Sequence, residues 1–111
     1  MDGPETGVLV ALASFPDAAT AERITHALVE EKLAACGNIL PGCTSIYRWH
    51  GKVEKTTETI VIYKTAVFER EKFQARLLEL HPYEVAECVF LNVIDGSPAY
   101  LNWVRNETLP R

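Results

Sequence analysis

No run of about 18 apolar residues occurs anywhere in the chain, so nothing reads as a membrane-spanning helix. Positive charge is scarce: 11 Lys and Arg stand against 15 Asp and Glu, a net charge of -4. No basic stripe is available to displace counterions from a phosphate backbone, which argues against a nucleic-acid partner. Cysteine is sparse and odd in number (Cys36, Cys43 and Cys88), with no C-x-x-C spacing. That usage points to reduced thiols and a cytoplasmic setting, not to a disulfide framework. With His26, His50 and His81 the thiols leave metal binding open without indicating it. The opening MDGPETG has neither a basic n-region nor an apolar h-region, so no secretory signal is expected. Low-complexity blocks and repeats of solenoid length are absent. So are G-x-S-x-G, a phosphate-cradling G-x-x-x-x-G-K and an ordered Ser/His/Asp set. The chain is therefore not expected to be an enzyme, and no catalytic residue is assigned.

At 111 residues and 48% hydrophobic content, one domain with a single core fits without staples. Residues 1–6 are expected to form a loose tail and 7–111 the domain. Val8 to Ser14 reads as a short, almost wholly apolar strand. Asp17 is a plausible N-cap for an amphipathic helix from Ala18 to about Ala35, with Ile24, Leu28 and Ala35 on one side and Glu22, Arg23, Glu30, Glu31 and Lys32 on the other. Thr57 to Thr65 alternates, placing Thr59, Val61, Tyr63 and Thr65 on one face and Ile60 and Ile62 on the other. A second helix is expected from about Val67 to Leu80, stopped by His81-Pro82. A strand follows from Val85 to Ile94, then a turn at Asp95-Gly96. Ser97-Pro98 reads as an N-cap with proline at the first helical position, opening a last helix through Val104.

Between these lies an unusually long extended segment. Asn38 to Leu40 is interrupted by Pro41-Gly42, a bulge in prospect, and resumes from Thr44 to Val53. A strand of that length reaches roughly 50 Å at about 3.3 Å per residue. A compact chain of this size has a radius of gyration near ~13 Å. The ribbon overshoots its own domain and carries Tyr47 and Trp49 at its tip. Its reversal is expected near Glu54-Lys55-Thr56, with Gly51 as the competing turn site.

The element order is β-α-β-β-α-β plus a carboxy-terminal helix, an α+β chain of the ferredoxin-like, split βαβ class. Two helices should cover one face of a four-stranded antiparallel sheet. Yet Val8, Val10 and Leu12 alternate with Leu9, Ala11 and Ala13, and the last strand is equally apolar on both sides. A one-sided sheet should alternate apolar with polar. The overlong ribbon and the two-sided sheet point independently to subunit association.

The block Leu28–Glu54 (LVEEKLAACGNILPGCTSIYRWHGKVE) resembles the signature of the CutA family, named for divalent-cation tolerance. The resemblance recurs at Lys64-Thr65, at Glu79–Glu87 (ELHPYEVAE) and at Tyr100–Trp103 (YLNW), in order through nearly the whole chain. It implies a ferredoxin-like subunit in a homotrimer, each ribbon pairing with a neighbour's sheet and the open sheet faces packing about a threefold axis. The implied assembly resembles that of the PII signalling trimers, which bind small ligands in clefts between subunits. Bacterial members are associated with tolerance of copper and other divalent cations, animal relatives with membrane acetylcholinesterase, and no single reaction defines the family.

By resemblance to members credited with copper ligands, His81 and Glu87 are the metal-site candidates. An imidazole and a carboxylate suit a borderline divalent cation. Ala13 and Leu80 stand where some members carry a cysteine and a second histidine. The competing expectation is that His81 caps the second helix and Glu87 pairs with a cation or a backbone N–H. No cofactor is required; Cu²⁺ or another divalent cation is the candidate ligand. Tyr47, Trp49, Tyr63, Tyr83, Tyr100 and Trp103 are expected as interface anchors or as the lining of an intersubunit cleft. In that cleft Lys64, a charge in an apolar strand that needs a partner, would meet Glu87 or a small anionic ligand. The thiols read as structural.

Overall fold

The computed structural model describes residues 4–110. Its elements are β1 (Val8–Phe15), α1 (Ala18–Glu30), β2 (Cys36–Trp49), β3 (Lys52–Ala66), α2 (Arg70–Leu80), β4 (Val89–Asn92) and α3 (Pro98–Glu107), with a single 3-10 turn at Val67–Glu69 leading into α2. The four strands form one antiparallel sheet in the order β2-β3-β1-β4, as the ferredoxin-like reading requires.

Asp17 caps α1 as anticipated, accepting a 2.7 Å hydrogen bond from the Thr20 N–H. That bond holds the Asp17 carboxyl below its ordinary range. The helix stops at Glu30, five residues before the expected Ala35. Lys32 takes a left-handed conformation at φ 64°, and the Leu33 and Lys32 N–H groups return to the carbonyls of Leu28 and Val29 at 2.9 and 3.0 Å. This is a Schellman closure made with lysine where glycine is the usual sign. It releases Leu33 and Ala34 into the core and lets the Ala35 N–H reach the Lys64 carbonyl at 2.8 Å, starting the edge strand.

The reversal of the long ribbon lies at His50-Gly51, not at Glu54-Lys55-Thr56. Trp49 pairs with Lys52, leaving a two-residue loop whose members have φ of 51° and 78°. Positive φ at both positions is the hairpin geometry that matches strand twist, and glycine supplies it without strain. Glu54, Lys55 and Thr56 instead pair with Tyr47, Ile46 and Ser45. The bulge falls where Pro41-Gly42 predicts it, between Leu40 and Cys43, opposite Thr59.

One sheet face carries the main core. Ala11, Ala13 and Phe15 of β1 and Val61 and Tyr63 of β3 pack against Ile24 and Leu28 of α1 and Phe73 and Leu77 of α2. At the centre the Thr25 and Tyr63 hydroxyls share a buried 2.8 Å hydrogen bond. Among the described residues the other face is covered only at one end, where Leu101 and Val104 of α3 pack with Val8 and Ala35. Pro98 opens α3 as expected, although the Ser97 side chain makes no capping bond. Beyond α3 the face continues apolar: Leu12, Ile62 and Val89 lie in one register row, and Leu40 and Ile60 in the next. Leu40, Val89 and Leu91 remain exposed there.

β1 ends at Phe15 opposite Thr59, so the ribbon beyond that point has two strands and no flanking partner. The molecule is 43 Å long and 25 by 24 Å across. Twist and the bulge shorten the ribbon relative to a straight strand. Of the expected tail, Thr6 is held by its hydroxyl to the Val93 carbonyl and by Arg105 to its own carbonyl. Residues 1–3 lie outside the described residues.

Candidate functional site

A concavity forms where the ribbon leaves the sheet and the α2–β4 connection crosses it. Ser45, Ile46, Tyr47 and Trp49 come from β2, alternate residues Thr56 and Glu58 from β3, alternate residues Tyr83, Val85 and Glu87 from the connection, and Ser14 from the end of β1. Its volume is about 570 Å³, within the range of small-molecule sites.

β4 begins at Val89, four residues later than expected, and His81 explains why. Leu12 pairs with Val89, so a longer β4 would set Glu87 opposite Ser14. The Ser14 carbonyl is already engaged, accepting a 2.6 Å hydrogen bond from His81 Nε2. The proton sits on Nε2 because Nδ1 accepts from the Tyr83 N–H at 3.0 Å. The imidazole thus takes the place of a β4 backbone group along the edge of β1. It is buried at 8% exposure and stacks on Phe15 with centroids 4.9 Å apart. The His81 backbone N–H closes α2 on the Leu77 carbonyl at 2.9 Å. Val85–Glu87, released from the sheet, become the wall of the concavity.

Tyr83 is held at three points. Its N–H binds His81, its ring tilts against the imidazole at 4.8 Å, and its hydroxyl donates to Glu58 Oε2 at 3.0 Å. Burial and then the Glu58 carboxylate push the Tyr83 phenol up to about 12. Burial, with a smaller contribution from Glu87, raises the Cys88 thiol to about 11.

Tyr47, Trp49, Tyr83 and Glu87 therefore share one site. Lys64 and Trp103 do not line it. Lys64 stands on the open face opposite Val10 and Cys36, and its ammonium donates to Asn38 Oδ1. Trp103 pairs with Tyr100 on α3, centroids 5.6 Å apart. Tyr63 lies in the core against Phe73. Cys36 is half-buried, its Sγ 3.6 Å from the Tyr100 hydroxyl.

Within one chain the donor set does not by itself fit a resident metal ion. Both His81 nitrogens are engaged, and among the described residues no three His, Cys, Asp or Glu side chains cluster to hold a cation. Sequence reasoning missed Glu58 and the Ser14 carbonyl. Glu58 was accessible from parity, since it lies two residues before Ile60 on the face opposite the core; the Ser14 carbonyl, a backbone group, carries no sequence signal.

Among the described residues no helix is long and apolar enough to cross a membrane. Residues 9–107 match the family model described as CutA1 divalent ion tolerance protein. A divalent-cation tolerance protein CutA of Thermus thermophilus is 46% identical over 99 residues, covering 89% of this chain and 96% of that relative. The solved structure of the Thermus thermophilus divalent cation tolerance protein (Cut A1) superposes with a TM-score of 0.89 at 44% identity, over 91% of this chain and 98% of that one. That of a protein named as the periplasmic divalent cation tolerance protein CutA of Archaeoglobus fulgidus gives 0.89 at 29% identity, over 92% and 99%. These relatives are named for tolerance and not for a reaction. With the sheet order, the bulged ribbon and these likenesses in agreement, the chain belongs to the CutA1 divalent ion tolerance family.

Proposed function

We propose that this protein serves divalent-cation tolerance as a cytoplasmic homotrimer without enzymatic activity, its ligand sites lying where one chain's ribbon meets the next chain. The observation that carries the reading is the unflanked ribbon beyond Phe15. A two-stranded hairpin is marginally stable in water, and this one exposes Ile46 at 69% and Val53 at 67% on one face and Tyr47 and Trp49 on the other. Its free edges and the two apolar rows, Leu12 with Ile62 and Val89 and Leu40 with Ile60, are the surfaces that neighbouring chains would cover. The three free thiols favour a reducing compartment.

The cation contact proposed is the His81–Glu87 segment. Glu87 offers an exposed carboxylate. His81 becomes a ligand only if Nδ1 exchanges its bond from the Tyr83 N–H for a cation, with further donors from a neighbouring chain. Titration calorimetry of metal-free protein with Cu²⁺ and Zn²⁺ tests this. Weaker binding in His81→Ala and Glu87→Gln is expected, and an unchanged isotherm in either removes that residue from the site. An anionic ligand, the alternative suggested by PII-like clefts, has less support, because Lys64 stands apart from the concavity and two carboxylates line it.

A further inference from the structure

We propose that the concavity between the ribbon and the α2–β4 connection binds a small organic cation of the alkylammonium or guanidinium type. Three aromatic side chains, Tyr47, Trp49 and Tyr83, and two carboxylates, Glu58 and Glu87, line it. Among the described residues no Lys, Arg or His side chain does. Lys52, opposite Trp49 in the hairpin register, lies outside the lining.

Each ligand class meets this wall differently. An anion would face Glu58 and Glu87 with no compensating cation. A bare metal ion would find only these two carboxylates, one already accepting the Tyr83 hydroxyl, among walls with no nitrogen or sulfur ligand. A neutral apolar ligand would strip water from both carboxylates without replacing it. An organic cation satisfies both parts of the wall. Its charge is stabilised by the carboxylates and by the electron-rich ring faces, and its carbon skirt replaces water on the aromatic surface. Tyr83 is already fixed by His81 and Glu58, which lowers the ordering cost of binding. All the walls belong to one chain, so the site does not depend on metal binding at His81.

The test uses the full-length protein carrying Trp103→Phe, which leaves Trp49 as the only tryptophan, in the presence of a chelator. Its fluorescence is titrated with tert-butylammonium chloride, with the neutral isostere tert-butanol, and with sodium chloride at matched ionic strength. The expected result is a saturable change with tert-butylammonium alone, weakened about tenfold or more by Glu58→Gln with Glu87→Gln. Should the double variant fail to fold, as circular dichroism would show, Glu87→Gln alone is read against the same standard. Equal binding of tert-butanol, undiminished binding in the folded variant, or no response beyond sodium chloride each overturns the proposal. The last result includes the case in which a neighbouring copy fills the concavity.

Discussion

His81 Nε2 donates to the Ser14 carbonyl at 2.6 Å, at the place on β1 that a longer last strand would take. Ser14 has the same parity along β1 as Val8, whose carbonyl accepts from the Val93 N–H on the β4 side. An imidazole from the end of α2 therefore completes the β1 edge that β4 leaves open. Phe15 holds the ring from below, and the Tyr83 N–H fixes its tautomer.

His81→Ala should therefore lower stability by about 1–3 kcal/mol even with every metal ion chelated, because it leaves the buried Ser14 carbonyl without its partner. Urea denaturation at matched protein concentration measures the change. A residue serving only as a metal ligand would show no loss under these conditions.

Gly37 is needed for a close approach. A Cβ at that position would lie 2.7 Å from Thr25 Cγ2 and 3.0 Å from the Tyr63 ring. Both neighbours are buried and tied together through their hydroxyls. Gly37→Ala should cost about 1–3 kcal/mol by overpacking. Thermal unfolding would reveal it as a lowered midpoint, and an unchanged midpoint would mean that the Thr25–Tyr63 pair yields easily.

Alkaline pH should destabilise the protein through Tyr63. Burial pushes its phenol from 10.0 up to about 12, only partly offset by the Thr25 bond. The unfolded chain then releases the Tyr63 proton at a lower pH than the folded chain. Stability from this group is fully present below pH 10 and declines as pH rises from 10 towards 12. Tyr83 acts in the same direction. Denaturation curves across that window, compared with Tyr63→Phe, should show a shallower decline in the variant. Identical slopes would exclude Tyr63 as a source.

Elements with strong periodicity were legible in the sequence. The alternation from Thr59 to Thr65, the Asp17 cap and the Pro41-Gly42 bulge all stand in the structure. What escaped was set by contacts distant along the chain or by unusual residues in special conformations. Lys32 adopts a left-handed conformation that glycine ordinarily marks, so α1 looked longer than it is. His50 shares a positive-φ turn with Gly51, and without Asn or Asp at the first position the turn signal was weak. Val85 to Glu87 has strand-like composition, but its place beside β1 is taken by a side chain 67 residues from its partner. The site was half visible. Family resemblance pointed to His81 and Glu87 and residue type to the aromatics, whereas the union of Glu58 with Tyr83 needs the chain crossing itself.

The proposed trimer follows from a ribbon and an open sheet face that one copy of this chain leaves uncovered. Sedimentation velocity across a dilution series, followed down to nanomolar protein, tests it most directly. The expected particle has three times the 12.4 kDa chain mass and persists on dilution. A soluble, fully folded particle of single-chain mass would contradict it.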